Sequence, residues 1–457
     1  MALPVRALNA KLEGEMEFRH KKYSVPFALP GDLVQFKILR KGRKSKFQVV
    51  HIEYAAEYPD YIVRSESPGC AHAGICGGCR SRHLDYDFQF EWKSRTIRET
   101  MEQEFQCTPA LLPATNRSGF RNRMDYAVDG SRIGLRPPQD FETVLDLTEC
   151  PVLRSPGPSL LAACRELLQK FPGAGWSRSE NSGWLKYVTI RIGQESGVVV
   201  LTTAGEAGET DDSRKLLEAL IGKMQDQWPT LNLVETVTDP GQELSCTPGG
   251  RALLGEATYK DSLCGVSFAV PYDSFFQPNP DAFSNLMESI LGPTLDKLSL
   301  ISSVHKRKLS LLDLYCGAGV LSAVLAHRFS EWQEIRGYEF VDSAVNIARQ
   351  EFARWPLDSN FYVTDLNNPP QDLSLQADLI VMDPPRAGLS PALCKKIAET
   401  ATAPLILYIS CNPETQIRDL RILQTQYQPV TAVLADCFPF TAHMEQAILL
   451  TRKDFAI

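Results

Sequence analysis

The sequence predicts an α/β protein whose last part is a doubly wound parallel sheet, preceded by two β-rich parts. From about residue 271 onward, strand-like apolar runs alternate with helical stretches, the pattern of βαβ units. Those runs end in Gly, an acid or Cys, which gathers polar groups at the sheet edge where open α/β folds bind ligands. Before residue 271, short alternating runs are broken by Pro and Gly, as in β structure with turns. At 457 residues the chain is too long for one compact core, and its pattern divides it into 1–54, 55–270 and 271–457.

Composition narrows the function classes. The chain is 44% hydrophobic and 23% charged, ordinary for a folded protein. Its net charge of -7 gives no global field that would draw nucleic acid, so any such binding needs a local basic surface. The first residues lack the apolar core of a signal peptide, and no apolar run is long enough to span a bilayer, so the expectation is a cytoplasmic protein away from membranes. Without a secretory signal, the 12 cysteines point to metal ligation or catalysis rather than disulfides.

Residues 1–54 read as a small β module, with alternating runs at 32–38 and 47–52. Between them lie Lys37, Arg40, Lys41, Arg43, Lys44 and Lys46, either a basic loop offered to phosphates or a solvated hairpin tip. Next come Cys70, Cys76 and Cys79, with glycines that let the backbone fold around an ion. A fourth ligand is missing locally, and Cys150, followed by Pro151, is the best distant partner. Four cysteines leave zinc and a [4Fe-4S] cluster open.

Residues 88–101 have helical character, and strand-like runs follow at 121–128, 144–147, 186–192 and 197–202, with a helix over 159–168. Arg121 and Arg123 alternate on one face, open to phosphates or solvent. In the last part, a strand at 311–314 enters a turn at Gly317 and Gly319, where glycine permits close approach of backbone to ligand. The following strands end at Glu339, Asp365, Asp383 and Cys411, and Glu339 stands about where such folds hold a ribose. The run 405–409 before Ser410 and Cys411 is apolar, as in a strand buried on both faces. Each strand-end acid alone also suits a helix cap. Four polar strand ends in succession are harder to explain by capping.

These residues resemble the RNA uracil-5-methyltransferase family, in particular its bacterial ribosomal RNA branch with an iron–sulfur cluster. The resemblance covers nearly the whole chain: the N-terminal module, the four cysteines, SFFQPN at 274–279, DLYCGAG at 313–319, DPPRAG at 383–388, SCNP at 410–413 and FPFTAHME at 438–445. It implies a Rossmann-like class I methyltransferase domain, an N-terminal small β-barrel of the TRAM type and a β-rich central iron–sulfur domain. It implies S-adenosylmethionine contacts at Gln277, Tyr315, Glu339, Asp365 and Asp383, Cys411 as nucleophile, Glu445 as general base, and a [4Fe-4S] cluster on Cys70, Cys76, Cys79 and Cys150, with zinc as the alternative. The implied partner of a monomeric enzyme is RNA, with ribosomal RNA ahead of transfer RNA. Val320 stands where the family can place a polar cofactor contact, and the N-terminal module lacks much of the TRAM glycine pattern.

The chemistry accounts for these residue types. Carbon 5 of uracil is a poor nucleophile until a thiolate adds at carbon 6, and a carboxylate must later remove the carbon 5 proton. The resemblance also implies that the last strand runs antiparallel, which brings its first residue, Glu445, to the edge that holds Cys411. Amine methyltransferases place an aromatic residue after the paired prolines, where this chain has Arg386, and cytosine-5 enzymes place Cys where it has Asp383. The target uridine is expected to be single-stranded or flipped out, and the cluster structural. A non-catalytic iron–sulfur RNA-binding protein is the rival from another class.

Overall fold

A computed structural model describes residues 2–41, 44–65, 69–205 and 210–455. The N-terminal module consists of two three-stranded antiparallel sheets. One orders Ala2–Pro4, Leu33–Lys41 and Lys44–Glu53, and the other Ala7–Leu8, Gly14–Phe18 and Lys21–Val25. They enclose Val5, Met16, Val25, Ala28 and Val34. The Asp32 carboxylate, fully buried, accepts bonds from Leu29 N, Ala55 N and the Tyr58 hydroxyl, which ties the module to the segment that follows. Of the basic run, Lys37 is exposed, whereas the side chains of Arg40, Lys41, Arg43, Lys44 and Lys46 lie outside the described residues.

The central part is a six-stranded sheet in the order Arg251–Leu254, Leu231–Val237, Gly197–Thr203, Leu185–Ile192, Arg123–Asp129, Arg132–Gly134. Helices Gly157–Lys170 and Asp211–Gln227 bury Leu160, Leu161, Leu216 and Leu220 against Val188, Ile190, Val199 and Leu201. The run 144–147 is not a regular strand. It lies along Arg132–Gly134 through the bonds Leu145 N to Leu135 O and Leu147 N to Ile133 O. Arg123 is ion-paired with Asp125, and Arg121 turns back to donate to Arg123 O, so the alternating arginines are not a free basic face.

The last part forms an eight-stranded sheet in the order Asp358–Val363, Trp332–Glu339, Leu309–Leu314, Leu379–Met382, Leu405–Ser410, Glu445–Arg452, Tyr427–Ala435, Ala110–Leu112. The first five strands are parallel, and Glu445–Arg452 is antiparallel to both its neighbours. Side chains alternate between faces along a strand. Leu309 and Leu311 therefore pack with Phe283, Met287 and Val324 on one face, while Leu312 and Leu314 pack with Met101, Leu393 and Leu420 on the other. All six residues of Leu405–Ser410 are buried, as the uninterrupted apolar run requires. The helix Tyr86–Phe105, capped by Asp85, lies on this sheet, and Ala110–Leu112 becomes its edge strand. No helix among the described residues is long and apolar enough to cross a membrane.

Candidate active site

The site is built where the parallel strands end. After Leu309–Leu314 the chain turns through three left-handed residues, Tyr315 (φ 65°), Gly317 (φ 53°) and Gly319 (φ 78°). At Gly319 an added Cβ would stand 3.2 Å from Ala348 Cβ, so the turn packs closely against the helix Asp342–Phe352. At Gly317 an added Cβ would meet nothing within 4 Å. The backbone there faces open space, as a ligand cradle requires. Gly317 N donates to the Glu339 carboxylate at 3.2 Å, and the same carboxylate accepts Phe340 N at 2.7 Å and Val341 N at 2.9 Å. The following Phe340 is 68% exposed, an aromatic face left uncovered at the cleft.

Asp365 lies just past the end of Asp358–Val363, not within the strand. It accepts Asn367 N and Asn368 Nδ2, bonds that hold its carboxyl below the ordinary range. Asp383 follows Leu379–Met382 directly. Burial and the nearby Asp313 push its carboxyl up to about 7. Gln277 reaches Asp383 from another segment, with Nε2 at 3.5 Å from Oδ2. The central sheet fixes that segment: Arg191 Nη1 donates to Ser274 O, and Asn122 donates through Nδ2 to Gln277 O and through N to Pro278 O.

Cys411 leaves the sheet one residue after Leu405–Ser410 and two before the helix Pro413–Leu423. Ser410 pairs with Gln446 as the last pair of the antiparallel ladder, and Cys411 and Glu445 are the next residue beyond that pair on each chain segment. Burial pushes the Cys411 thiol up to about 11. Glu445 and then Asp383 add to the rise, and Arg386 opposes it. Burial also holds the Glu445 carboxyl well above its usual range, with Asp383 adding to the effect and Arg386 opposing it. Asn412 Nδ2 and the Thr415 hydroxyl both donate to Arg386 O, so the DPPR turn and the cysteine turn form one unit.

A thiol, a buried carboxyl and a cation lie together at the strand ends. The family model described as tRNA (Uracil-5-)-methyltransferase matches residues 371–453, a stretch that contains Asp383, Cys411 and Glu445. The chain is similar to RNA uracil-5-methyltransferases in this stretch and along most of its length. Members of this family are S-adenosylmethionine-dependent enzymes. An "Uncharacterized RNA methyltransferase" of Leptospira interrogans is 29% identical over 463 residues, 99% of this chain and 97% of that one. The tRNA (uracil(54)-C(5))-methyltransferase of Pyrococcus abyssi is 26% identical over 426 residues, covering 92% and 94%. A crystal structure of the Pyrococcus abyssi tRNA (uracil-54, C5)-methyltransferase in complex with S-adenosyl-L-homocysteine covers 99% of this chain and all of its own, with a TM-score of 0.70 at 24% identity, a likeness of fold.

Two further features of this methyltransferase complete the site's surroundings. Cys70, Cys76, Cys79 and Cys150 line one cavity together with Arg82 and Arg121, and none is in a disulfide. Among the described residues no three His, Cys, Asp or Glu groups converge as a single metal ion would need. Four thiols around a shared space fit a sulfur-bridged cluster, which is larger than one ion. The second feature is a buried network that carries no local sequence signal. Lys93 pairs with Asp436 at 2.7 Å, both almost wholly buried, and the Tyr86 hydroxyl also donates to Asp436. This network anchors the loop that leads to Glu445. Arg386 had a signal in its DPPR turn, but its place beside the Glu445 carboxyl and the Cys411 thiol depends on the folded sheet edge.

Proposed function

We propose that this enzyme methylates carbon 5 of a uridine in RNA through a covalent adduct on Cys411. The observation that carries the reading is the juxtaposition of Cys411 and Glu445 at the end of neighbouring antiparallel strands, with Asp383 and Arg386 beside them. Gln277, Tyr315, Glu339, Asp365 and Asp383 hold S-adenosylmethionine, which supplies the methyl group. The open space above Gly317 and the acids at the strand ends suit a cationic ligand. Cys411 adds to carbon 6 of uracil and makes carbon 5 nucleophilic. Once carbon 5 is methylated, Glu445 removes its proton, the 5,6 double bond reforms, and the thiolate is expelled. A carboxyl of raised pKa is a stronger base when ionised, which suits this task.

In this reading the N-terminal module is a TRAM-like RNA-binding unit, and Cys70, Cys76, Cys79 and Cys150 hold a [4Fe-4S] cluster that supplies a rigid tie rather than an electron. The four-cysteine site favours ribosomal RNA as substrate, while the Pyrococcus relatives named for transfer RNA favour a tRNA uridine. Incubation with labelled S-adenosylmethionine and total RNA from cells lacking the protein, followed by size separation and nucleoside analysis, tests this. Label in 5-methyluridine of large RNA supports the ribosomal reading, and label in transfer RNA supports the other. No label in any RNA overturns both in favour of a non-catalytic binding protein.

A further inference from the structure

The loop from Asp436 to Glu445 is held from two directions. On one side Lys93 Nζ donates to Thr441 O at 3.1 Å and pairs with Asp436. On the other stands the segment that carries Cys79. Ser81 N donates to Phe440 O at 3.1 Å, and the Arg82 guanidinium lies 4.2 Å from the centre of the Phe440 ring. Phe440 itself is buried and has a positive φ of 65°, a backbone state that its surroundings must maintain. Arg82 is 5% exposed, and its Nη2 also reaches Gly69 O, beside Cys70, at 3.3 Å. The same side chain lines the cavity of the four cysteines. One buried guanidinium therefore touches both the thiol cavity and the loop that ends in Glu445.

We infer that Arg82 is a positioning residue that couples the four-cysteine site to the placement of Glu445. A group that fills the cavity fixes the backbone from Cys70 to Cys79 and with it Arg82. Arg82 then keeps Phe440 in its left-handed state, and the strand Glu445–Arg452 begins in the right place. Loss of the group frees Arg82 and loosens residues 438–444, which weakens proton removal before it weakens cofactor binding. The structural coupling stands on contacts within the chain. Its catalytic consequence rests on the uridine-methylation reading above.

Amide hydrogen exchange of residues 438–444, measured on the anaerobically purified full chain without RNA or cofactor, tests the coupling independently of that reading. Arg82→Ala and Phe440→Leu are each expected to raise exchange there about tenfold, and Arg82→Lys, which keeps a cation over the ring, far less. Phe440→Leu leaves the cysteine segment itself untouched, so it serves if Arg82→Ala folds poorly. Cys79→Ser is expected to raise exchange at 438–444 in the native background and to add little in the Arg82→Ala background. Unchanged exchange in Cys79→Ser, or full additivity of the two substitutions, overturns the coupling. If exchange responds and the variants also accumulate RNA bound to Cys411, the catalytic consequence holds. If exchange responds while turnover is unchanged, only that consequence fails.

Discussion

The unpaired Cys411 thiol is expected to be a sluggish nucleophile until its neighbours change, and Glu445→Gln exposes the cause. In the free protein burial raises the thiol to about 11, with Glu445 the next contributor. At pH 9 a thiol of pKa 11 is about 1% ionised, while one at the reference value of 9 is about half ionised, so full relief gives about a 50-fold gain. Glu445→Gln removes one of two carboxylates and leaves the burial, so Cys411 alkylation by iodoacetamide is expected to speed up but to stay well below that ceiling. Mass spectrometry of the peptide that contains Cys411, sampled over time from pH 7 to 10, reads the rate. The native rate is expected to rise close to tenfold per pH unit across that range, because the thiol stays mostly protonated throughout. A native rate that levels off near pH 8, or no acceleration in Glu445→Gln, would refute the electrostatic account of this site.

Other substitutions test the supporting structure. Lys93→Met leaves the Asp436 carboxylate buried without its cation, and should cost about 3–5 kcal/mol, seen as a lower urea midpoint for the unit that contains the eight-stranded sheet. Asp313 is buried beneath the site and its carboxyl is pushed up to about 7, so the folded state keeps a proton that the unfolded chain has lost. Stability from this group is thus full below about pH 4 and is lost as pH rises through 7. Asp313→Asn should gain stability relative to the native chain between those pH values and no further above them, as thermal melts in matched buffers would show. Gly319→Ala forces a left-handed backbone on a residue with a Cβ at 3.2 Å from Ala348, and should cost about 1–2 kcal/mol and weaken calorimetric binding of S-adenosylhomocysteine.

The part of this design that sequence reveals is the part that local physics dictates. The strand that leads to Cys411 is fully buried, so its run from Leu405 to Ile409 had to be largely apolar and its end conspicuous. The glycine turn after Leu309–Leu314 is forced by positive φ angles that few other residues tolerate. Asp365 was expected to close its strand, but the ladder to Trp332–Glu339 ends at Val363 and the carboxylate caps the turn beyond it. The contacts that assemble the site are long-range and leave no periodicity. Lys93 lies in an ordinary helical stretch, and only the folded sheet brings it to Asp436. Ala110–Leu112 is too short to announce itself as an edge strand, and Arg82 is one arginine among many until Phe440 is set beneath it. The basic run near residue 40 drew attention by charge alone, whereas the arginines at 121 and 123 proved to be engaged within the fold.

The account turns on whether Cys411 and Glu445 act in sequence on one uridine. The most direct measurement incubates the native chain, Cys411→Ala and Glu445→Gln with methyl-labelled S-adenosylmethionine and substrate RNA, then separates protein from RNA under denaturing conditions. The account predicts free labelled 5-methyluridine from the native chain, no methyl transfer from Cys411→Ala despite retained cofactor binding, and labelled RNA that stays attached to Cys411 in Glu445→Gln. Methyl transfer by Cys411→Ala, or free product from Glu445→Gln at the native rate, would contradict it.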